Sequence, residues 1–568
     1  MVHLIQCCMR LSIKGRPNSQ SMYIIKSTYE NGASSSKVVK KLGTMKELKI
    51  AHDDPIAWGK SQVELLNTEY YKGDISVIFS QTKKIDDDFQ NSFSGGYLFL
   101  QKIYNELDIG GICEQISTKH KFEFDLNQIL SRLVFSRILF PASKHATLEL
   151  SKKFFEQPKF ELQHIYRALE IITKETDYIQ SRLYANSLNI CKRSTGILYF
   201  DCTNYFFEIE EADDFRKYGY SKEHRPNPIV QMGLFMDADG IPLAFCMFAG
   251  NESEQLQLQP LEKKILADFN LAKIIVCTDA GLSSLANRKF NNAPNRGFIT
   301  TQSVKKLVGH LKDWALDPKG WSISGCEKTY NISEATDKET VFYKERWINE
   351  NKFSQRLIVT FSLKYKEYNR KIRDAQIERA KKAMTSGKAE TVNQNNHKRF
   401  IKKTSVTQDG ELASKTFYEI DQNTIAEEEK YDGFYGTCTN ISDGVAEIIK
   451  VNQRRWEIEE CFRIMKSEFK ARPVFLKRED RIRAHFMTCF LALVLYRLLE
   501  KRLDNKFTYH QIIDGLREMN FTRLPKEGYI PSYTRTDLTN ALHEKFGFRT
   551  DTQIITQSTL KKIIQSTT

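Results

Sequence analysis

The chain has 568 residues, 41% of them hydrophobic, and its 85 Lys and Arg outnumber 71 Asp and Glu for a net charge of +14. With 27 Gly and 13 Pro, this composition excludes collagen-like, linker-dominated and largely disordered chains, and the length implies several folding units. The positive balance fits a polyanionic partner or simply a basic surface, and charge alone does not separate the two.

The first residues, MVHLIQCCMRLSIKGRP, lack the basic opening and small-residue cleavage site of a secretory signal. Tyr23-Ile24-Ile25 and Val38-Val39 flank Asn31-Gly32, which predicts a hairpin over 22–43. Residues 70–95 are polar, with Asp86-Asp87-Asp88 and Gly95-Gly96, and suggest a boundary. Over 97–193, Leu126, Ile129, Leu130, Leu133 and Val134 recur at helical spacing, as do Ile165, Leu169 and Ile172, with Pro141 as an interruption. A helical domain is expected there. A plain bundle fits the pattern better than a helix-turn-helix.

The character changes at 196–300. Strands are expected at Gly196–Thr203, Ile229–Phe235 and Ile241–Phe248, the last two joined by an Asp237–Gly240 turn. A helix near 256–268, a buried strand at Lys273–Asp279 and another at Phe298–Thr300 follow. Hairpin-ordered strands, a helix and a parallel-type strand predict a mixed α/β sheet. Over 301–440, strand-like pieces at Glu339–Phe342, Arg356–Phe361, Thr416–Ile420 and Phe434–Thr439 surround a basic helix at 364–383. That pattern reads as an insertion with its own hairpins. Helix returns over 445–505. Its apolar run Phe486–Tyr496 is too short to span a bilayer and reads as a buried helix, so no membrane role is expected.

The 11 cysteines are scattered, with no C-x-x-C spacing. This argues against a disulfide framework and a cysteine zinc site, and fits a reducing cytoplasm. The histidines show no metal-ligand spacing either.

Asp201 and Asp279 lie at or near the ends of hydrophobic strands. A buried carboxylate is costly unless paired, hydrogen-bonded or metal-bound, so the two can converge on one point, or each can simply cap its strand facing water. Further on, Arg455, Glu459, Arg463 and Lys466 fall on one helical face, while Trp456, Phe462 and Met465 can pack. For Trp456 a core position fits better than stacking on an unpaired base. A surface helix with i,i+4 ion pairs is the plainer reading of this stretch.

These residues resemble bacterial insertion-sequence transposases with an Asp-Asp-Glu site on a ribonuclease H-like fold. The nearest resemblance is to the group with a Tyr-Arg-Glu-Lys signature, spaced Y-x2-R-x3-E-x6-K. Arg455, Glu459 and Lys466 match its last three positions, and Asn452 stands in place of the Tyr. The resemblance extends over YFDCTNYFFE, RPNPIVQMGLFMDADGIPL, FAGNESE, VCTDAG, YDGFYGTCTN and ARPVFLKREDRIRAHF, and so over most of 20–550.

The resemblance implies an α/β chain: a ribonuclease H-like mixed sheet with a β-rich insertion, plus a helical N-terminal domain. The domains would be an N-terminal hairpin and linker region (1–95), a helical, DNA-binding domain (96–193), a catalytic core in two parts (194–300 and 441–505), the insertion with its basic helix (301–440) and a C-terminal region (506–568). Asp201, Asp279 and Glu459 would be the catalytic metal ligands. Two Mg2+ ions, with Mn2+ as a substitute, would activate the attacking oxygen and stabilise the leaving one, and hard oxygen ligands suit them. Glu460 is the rival of Glu459, and the signature spacing favours Glu459. Glu252 and Glu254 are candidate supporting groups, with a solvated loop the plainer reading.

DNA would be the partner, both as terminal inverted repeats and as target, held by a homodimer in a synaptic complex in the cytoplasm, at the nucleoid. Arg455, Arg463 and Lys466 would neutralise phosphates near the cut end. Lys222 and Arg225, in the polar loop with Tyr218, Ser221, His224 and Pro226, would be further DNA contacts, and a plain basic loop fits those residues equally well. The surplus charge is concentrated. Lys364–Lys403 holds 13 Lys and Arg against 4 Asp and Glu, and Lys450–Arg483 holds 11 against 6. Two other functions remain open at this stage: a non-catalytic DNA-binding protein derived from a transposase, and a general ribonuclease H-like nuclease.

Overall fold

The computed structural model describes residues 9–567 except 17–18, 31–32, 71–80, 83, 86, 88, 270, 272, 351, 387–395, 407–411 and 526. The expected Asn31-Gly32 turn, Asp86, Asp88 and part of the basic run after residue 386 therefore lie outside the described residues. The chain divides into two compact units, one of residues 1–93, 520–533 and 549–563, the other of 94–519, 534–548 and 564–568.

In the first unit, strand Ser21–Glu30 pairs antiparallel with Met9–Lys14 on one side and Ala33–Thr44 on the other. Thr44 ends the sheet and starts helix Met45–Ala51. Its hydroxyl accepts from the Glu47 amide at 3.3 Å, and the Glu47 carboxylate accepts from the Thr44 amide at 2.9 Å, a reciprocal cap. Strands Asn520–Leu524 and Gly528–Pro531 form a tight antiparallel pair. Gly528 has φ +143°, and a Cβ there would stand 2.1 Å from the Ile555 carbonyl, so only glycine fits.

The second unit begins with helices Tyr97–Glu106, Ile109–Lys119, Leu126–Leu139, Lys144–Ser151, Leu162–Lys174 and Thr176–Ser187. They share this compact unit with the sheet that follows. In Leu162–Lys174 the buried residues are Ile165, Ala168, Leu169 and Ile172, the helical spacing the sequence shows. Helix Glu479–Arg502 is long and apolar enough to cross a membrane, but 94% of its apolar window is buried inside the protein. It packs against Leu126–Leu139 and Leu162–Lys174 as a core helix.

The ten-stranded sheet runs Thr329–Tyr330, Trp321–Ile323, Phe342–Glu350, Phe353–Phe361, Phe434–Thr439, Arg296–Gln302, Ile274–Thr278, Ile197–Phe206, Ile229–Asp237, Pro242–Ala249. Ile197–Phe206, Ile274–Thr278 and Arg296–Gln302 are mutually parallel neighbours; the other pairings are antiparallel. Leu198, Phe200, Cys202, Phe235 and Val276 meet Leu258, Leu261 and Ile265 of helix Glu254–Asp268 in one core. A second core gathers around Trp321, Phe353, Leu357 and Phe361.

The insertion differs from expectation in two ways. Its hairpin Phe342–Glu350/Phe353–Phe361 extends the main sheet, because Phe434–Thr439 pairs with Phe353–Phe361 on one side and Arg296–Gln302 on the other. The strand expected over Glu339–Phe342 instead begins at Phe342 and continues through Lys344, Glu345, Arg346 and Glu350. Those charges hide a strand from sequence reading, and cross-strand pairing overrides them. A separate small cluster joins Ala380 and Ala383 of helix Leu363–Thr385 to Phe400 and Ile401.

Candidate active site

Strand alternation aims Asp201. Leu198, Phe200 and Cys202 face the core, so Tyr199, Asp201, Thr203 and Tyr205 face the opposite side of the sheet. There the Tyr199 hydroxyl donates to the Val451 carbonyl at 3.0 Å, and Tyr205 lies 3.9 Å from the Met465 sulfur. Asp201 thus points to the layer that carries Glu459. The parallel register pairs Tyr199 with Cys277. Two residues beyond that pair stand Asp201, still within its strand, and Asp279, just past the end of strand Ile274–Thr278 and close enough for its charge to act on Asp201.

Asp201 accepts from the Cys202 amide at 2.8 Å. Burial pushes its carboxyl up to about 6, and the neighbouring Asp279 charge adds to this, while Lys222 and Arg455 pull the other way. Asp279 opens a turn in which its Oδ1 accepts from the Leu282 amide at 2.9 Å. The Thr300 hydroxyl donates to its carbonyl at 3.2 Å. The Lys222 ammonium donates to the Cys202 carbonyl and lies 3.4 Å from Glu254 Oε1. Burial opposes charge on Lys222, but Asp201 and Glu254 outweigh it and hold its pKa above the ordinary lysine value.

Asn452 lies in helix Val445–Gln453, and Arg454 and Arg455 form the junction to helix Trp456–Arg463. Glu459 is 60% exposed at its side chain, with Arg455 Nη1 at 3.9 Å. Arg455 is largely enclosed, and its Nε has no hydrogen-bond partner among the described residues. Burial works against its charge, but Tyr435, Asp279 and Glu459 more than restore it. After Arg463 the chain makes a π turn over Ile464–Glu468, which re-aims Lys466 relative to an ideal helix. Lys466 Nζ lies 3.4 Å from Glu223 Oε1, and Arg472 pairs with the same carboxylate. Burial, then the nearby Lys222, push Lys466 down to about 8, with Asp201 opposing.

Asp201, Lys222, Glu459, Arg463, Lys466 and Arg472 line one open cleft of about 340 Å³. Asp279 adjoins Asp201 at the sheet and is not part of that lining, and Arg455 is sensed by both Asp279 and Glu459. Arg463 donates to Glu460 at 3.0 Å and stacks on Tyr509, so it is braced rather than free. Arg225 lies over the Phe206 ring at 5.2 Å. Glu460 is engaged by Arg463 and by Arg497 at 3.6 Å, away from Asp201. Glu252 is taken up by the Ala249 amide at 3.0 Å and by Gln257 at 2.8 Å. Among the described residues no three His, Cys, Asp or Glu side chains are gathered closely enough to hold one metal ion.

Phe462 and Met465 are buried, as their pattern predicts, but Trp456 is not. It is 58% exposed, which corrects the core reading. The turn at Arg454–Arg455 starts a new helix at Trp456 and rotates that ring outward. Sequence reading also missed Tyr435. Its hydroxyl accepts from Asn452 Nδ2 at 3.0 Å and bonds Thr301 Oγ1 at 2.7 Å, next to Arg455. A tyrosine hydroxyl thus stands beside the position where the signature Tyr is missing. The clue lay within the YDGFYGTCTN block, but only strand pairing brings it there.

The chain is thus a mixed α/β protein with one aspartate on a strand, a second just past the end of its parallel neighbour, and a glutamate helix beside a basic cleft. The model of the transposase DDE domain family matches residues 205–495, just over half of the chain, and the chain belongs to that family. No curated protein matches it. Among solved structures, a cryo-EM structure of a piggyBac transposase synaptic complex with hairpin DNA is similar at a TM-score of 0.36 and 7% identity, over 84% of this chain and 85% of that one. That likeness is too distant to assign anything here.

Proposed function

We propose that the protein is the transposase of an insertion sequence. It binds terminal inverted repeats, cleaves phosphodiester bonds at the element's ends and joins them to target DNA. The observation that carries this reading is the placement of Asp201 on one strand and of Asp279 just past the end of its parallel neighbour, with Glu459 on the same cleft as Asp201, in a member of the DDE family. The strand order from Pro242–Ala249 to Arg296–Gln302, an antiparallel meander continued by two parallel strands, supports a ribonuclease H-like core.

Divalent metal fits this donor set. The oxygens are hard, and Asp201 is a buried carboxylate beside a second one, which a cation would relieve. Asp201 and Asp279 would hold metal from the sheet, and Glu459, exposed and in only a 3.9 Å contact with Arg455, can swing in from the helix. Two Mg2+ ions bound there would supply activation of the attacking oxygen and stabilisation of the leaving one. The chain's own residues do the rest. Lys466 and Arg472 line the cleft and bind the strand's phosphates, and Arg463, braced by Glu460, adds its charge to the same wall. Arg455, enclosed between Asp279 and Glu459, orients the glutamate. A DNA 3′-OH admitted to the same cleft serves as nucleophile for joining, and no covalent protein–DNA link is needed. The protein acts as a homodimer holding two ends together, in the cytoplasm at the nucleoid.

The test is cleavage of end-containing DNA with Mg2+. Asp201→Asn, Asp279→Asn and Glu459→Gln each remove several kcal/mol of transition-state stabilisation, so cleavage falls about a thousandfold while DNA binding persists. Full activity in any one of them removes that residue from the site.

A further inference from the structure

A second pocket, of about 190 Å³, shares no lining residue with the carboxylate cleft. Arg137, Lys144, Tyr166, Lys470 and His485 line it, with an apolar wall at Val474 and Phe475. Arg137 and Lys144 are each only 5% exposed. A buried cation ordinarily has a carboxylate against it. Among the described residues neither of these has one.

Arg137 donates to the carbonyls of Phe469 at 3.0 Å, Ala142 at 3.2 Å and Lys470 at 3.3 Å, and its Nε has no partner among the described residues. Among the described residues the Lys144 ammonium meets only His485 Nδ1, at 3.5 Å. His485 Nε2 donates to the Ala471 carbonyl at 3.0 Å, which leaves Nδ1 as the acceptor and the ring neutral. Burial drives the His485 pKa well below its ordinary value, and Lys144 adds to this. Burial, followed by the charge of Arg137, pushes Lys144 down to about 7. The thiol of Cys489, near His485, is pushed up by burial and stays protonated. Lys144 is also the first residue of helix Lys144–Ser151, capped by Ser143. Free amides and the helix dipole at that terminus add positive potential.

We propose that this pocket binds a phosphate group between Arg137, Lys144 and the N-terminus of helix Lys144–Ser151, with the exposed Lys470 at its mouth. The source is a DNA backbone phosphate. Lys466 and Arg472 line the carboxylate cleft, while Lys470 and Pro473 line this pocket, so one short segment borders both. A strand leaving the cleft along that segment reaches the cationic pocket. The choice of DNA as source rests on the transposase reading; the phosphate chemistry does not.

The experiment uses the full chain and inorganic phosphate. Wild-type Tm is measured in sodium phosphate and in sodium chloride of equal ionic strength, and phosphate affinity is read by 31P NMR line broadening. Lys144→Met keeps the volume and removes the charge. It should weaken phosphate binding at least tenfold and abolish the phosphate-specific rise in Tm. In chloride its own Tm should equal or exceed wild type, because an uncompensated charge is gone. Lys470→Gln, at the exposed rim, should weaken binding to a lesser degree and provides a second reading if Lys144→Met does not fold. On duplex DNA, loss of one phosphate contact should lower the slope of log affinity against log salt by about 0.9. A slope unchanged in Lys144→Met, with the phosphate effect lost, refutes DNA as the source and assigns free phosphate. A phosphate-induced rise that is absent in wild type, or equal in Lys144→Met, overturns the site. Loss of the transposase reading, seen as no cleavage of end DNA, leaves the phosphate result standing.

Discussion

Asn452→Tyr restores the residue that the Tyr-Arg-Glu-Lys signature carries, and the structure says it should harm the protein. Asn452 is 5% exposed. Its amide donates to Tyr435 at 3.0 Å and to Thr437 at 3.4 Å, and its Oδ1 faces Cys277 Sγ at 3.8 Å. A phenol ring has no room among those groups while Tyr435 is in place. Overpacking costs about 1–3 kcal/mol and the lost buried hydrogen bonds about 1 more, for a total near 2–4 kcal/mol. At about 2.1 cal/mol/K per residue, a unit of about 450 residues has an unfolding entropy near 0.9 kcal/mol/K. If that unit unfolds as one, Tm falls by about 2–4 °C, measured by scanning calorimetry, and cleavage falls with it. Tyr435→Ala opens the space. In the double variant Asn452→Tyr/Tyr435→Ala the ring from position 452 can occupy that space and return a hydroxyl beside Arg455. The two changes should therefore couple favourably, by more than about 1 kcal/mol relative to their sum, and the double variant should cleave better than Tyr435→Ala alone. An Asn452→Tyr protein with wild-type Tm and wild-type cleavage would refute the idea that Tyr435 stands in for the missing residue.

The remaining predictions concern other parts of the larger unit. Arg193 and Asp237 form a fully buried ion pair, with Arg193 also donating to Ser187 Oγ at 2.8 Å and Asp237 accepting from Asp239 and Ile241 amides. Arg193→Met strands the carboxylate and should cost about 3–5 kcal/mol, whereas Arg193→Met/Asp237→Leu should recover most of it; equal losses in the two would contradict this. Glu262 is buried, its Oε2 held by Asn291 at 3.0 Å and its Oε1 without a partner. Burial pushes its carboxyl up to about 7, so the folded state prefers it protonated. Its stabilising contribution is complete below about pH 4.5 and is lost as pH rises through 7, and Glu262→Gln should raise Tm more at pH 8 than at pH 4. Trp456→Ala should leave Tm within about 1 °C, since the ring is exposed, but weaken single-stranded DNA binding by about 1–3 kcal/mol if the ring stacks on a base. Undiminished binding would assign the ring no such role.

Much of the sheet was legible because its strands carry strong signals. Ile229–Asp237 and Ile274–Thr278 are runs of buried apolar residues, and a strand hidden on both faces has little choice but to read as continuous hydrophobicity. Asp201 sits within the apolar run Ile197–Phe206 and Asp279 just past Ile274–Thr278, so both positions follow from such runs. The helix ends were less legible. Arg455 through Lys466 fits one helical face in sequence, but a junction at Arg454–Arg455 and a π turn after Arg463 divide it. No residue in that stretch is a glycine or proline, so nothing local announces either break. Trp456 was misplaced for that reason. Tyr435 and Glu223 escaped notice for a different one: each matters through a partner far away in sequence, Asn452 for the first, Lys466 and Arg472 for the second.

The surplus positive charge looks different once partners are counted. The insertion's basic run is drawn from 364–403, but carboxylates outside that window answer it. Lys364 pairs with Glu339 at 2.9 Å, Arg373 with Asp432 at 2.7 Å, Arg399 with Glu428 at 2.7 Å and Lys402 with Glu419 at 3.1 Å. Arg373 is as buried as a core residue, so its guanidinium holds helix Leu363–Thr385 against the turn at Asp432 rather than meeting DNA. In the window 450–483 Arg454 pairs with Glu457 at 2.8 Å, Arg481 with Glu170 at 2.7 Å and Arg483 with Glu479 at 2.7 Å, but two of its cations are less fully answered. Lys466 and Arg472 share the single carboxylate of Glu223, two cations to one anion on the wall of the carboxylate cleft. Burial, and after it the charge of Lys222, push Lys466 down to about 8 there. On the proposed function a DNA phosphate entering the cleft would supply the missing negative charge, so Glu223→Gln should tighten backbone binding and steepen its dependence on salt, while Arg373→Gln should cost stability and leave the salt slope unchanged. The reverse outcome would place the DNA on the insertion instead of on the segment that joins the Glu459 helix to the core.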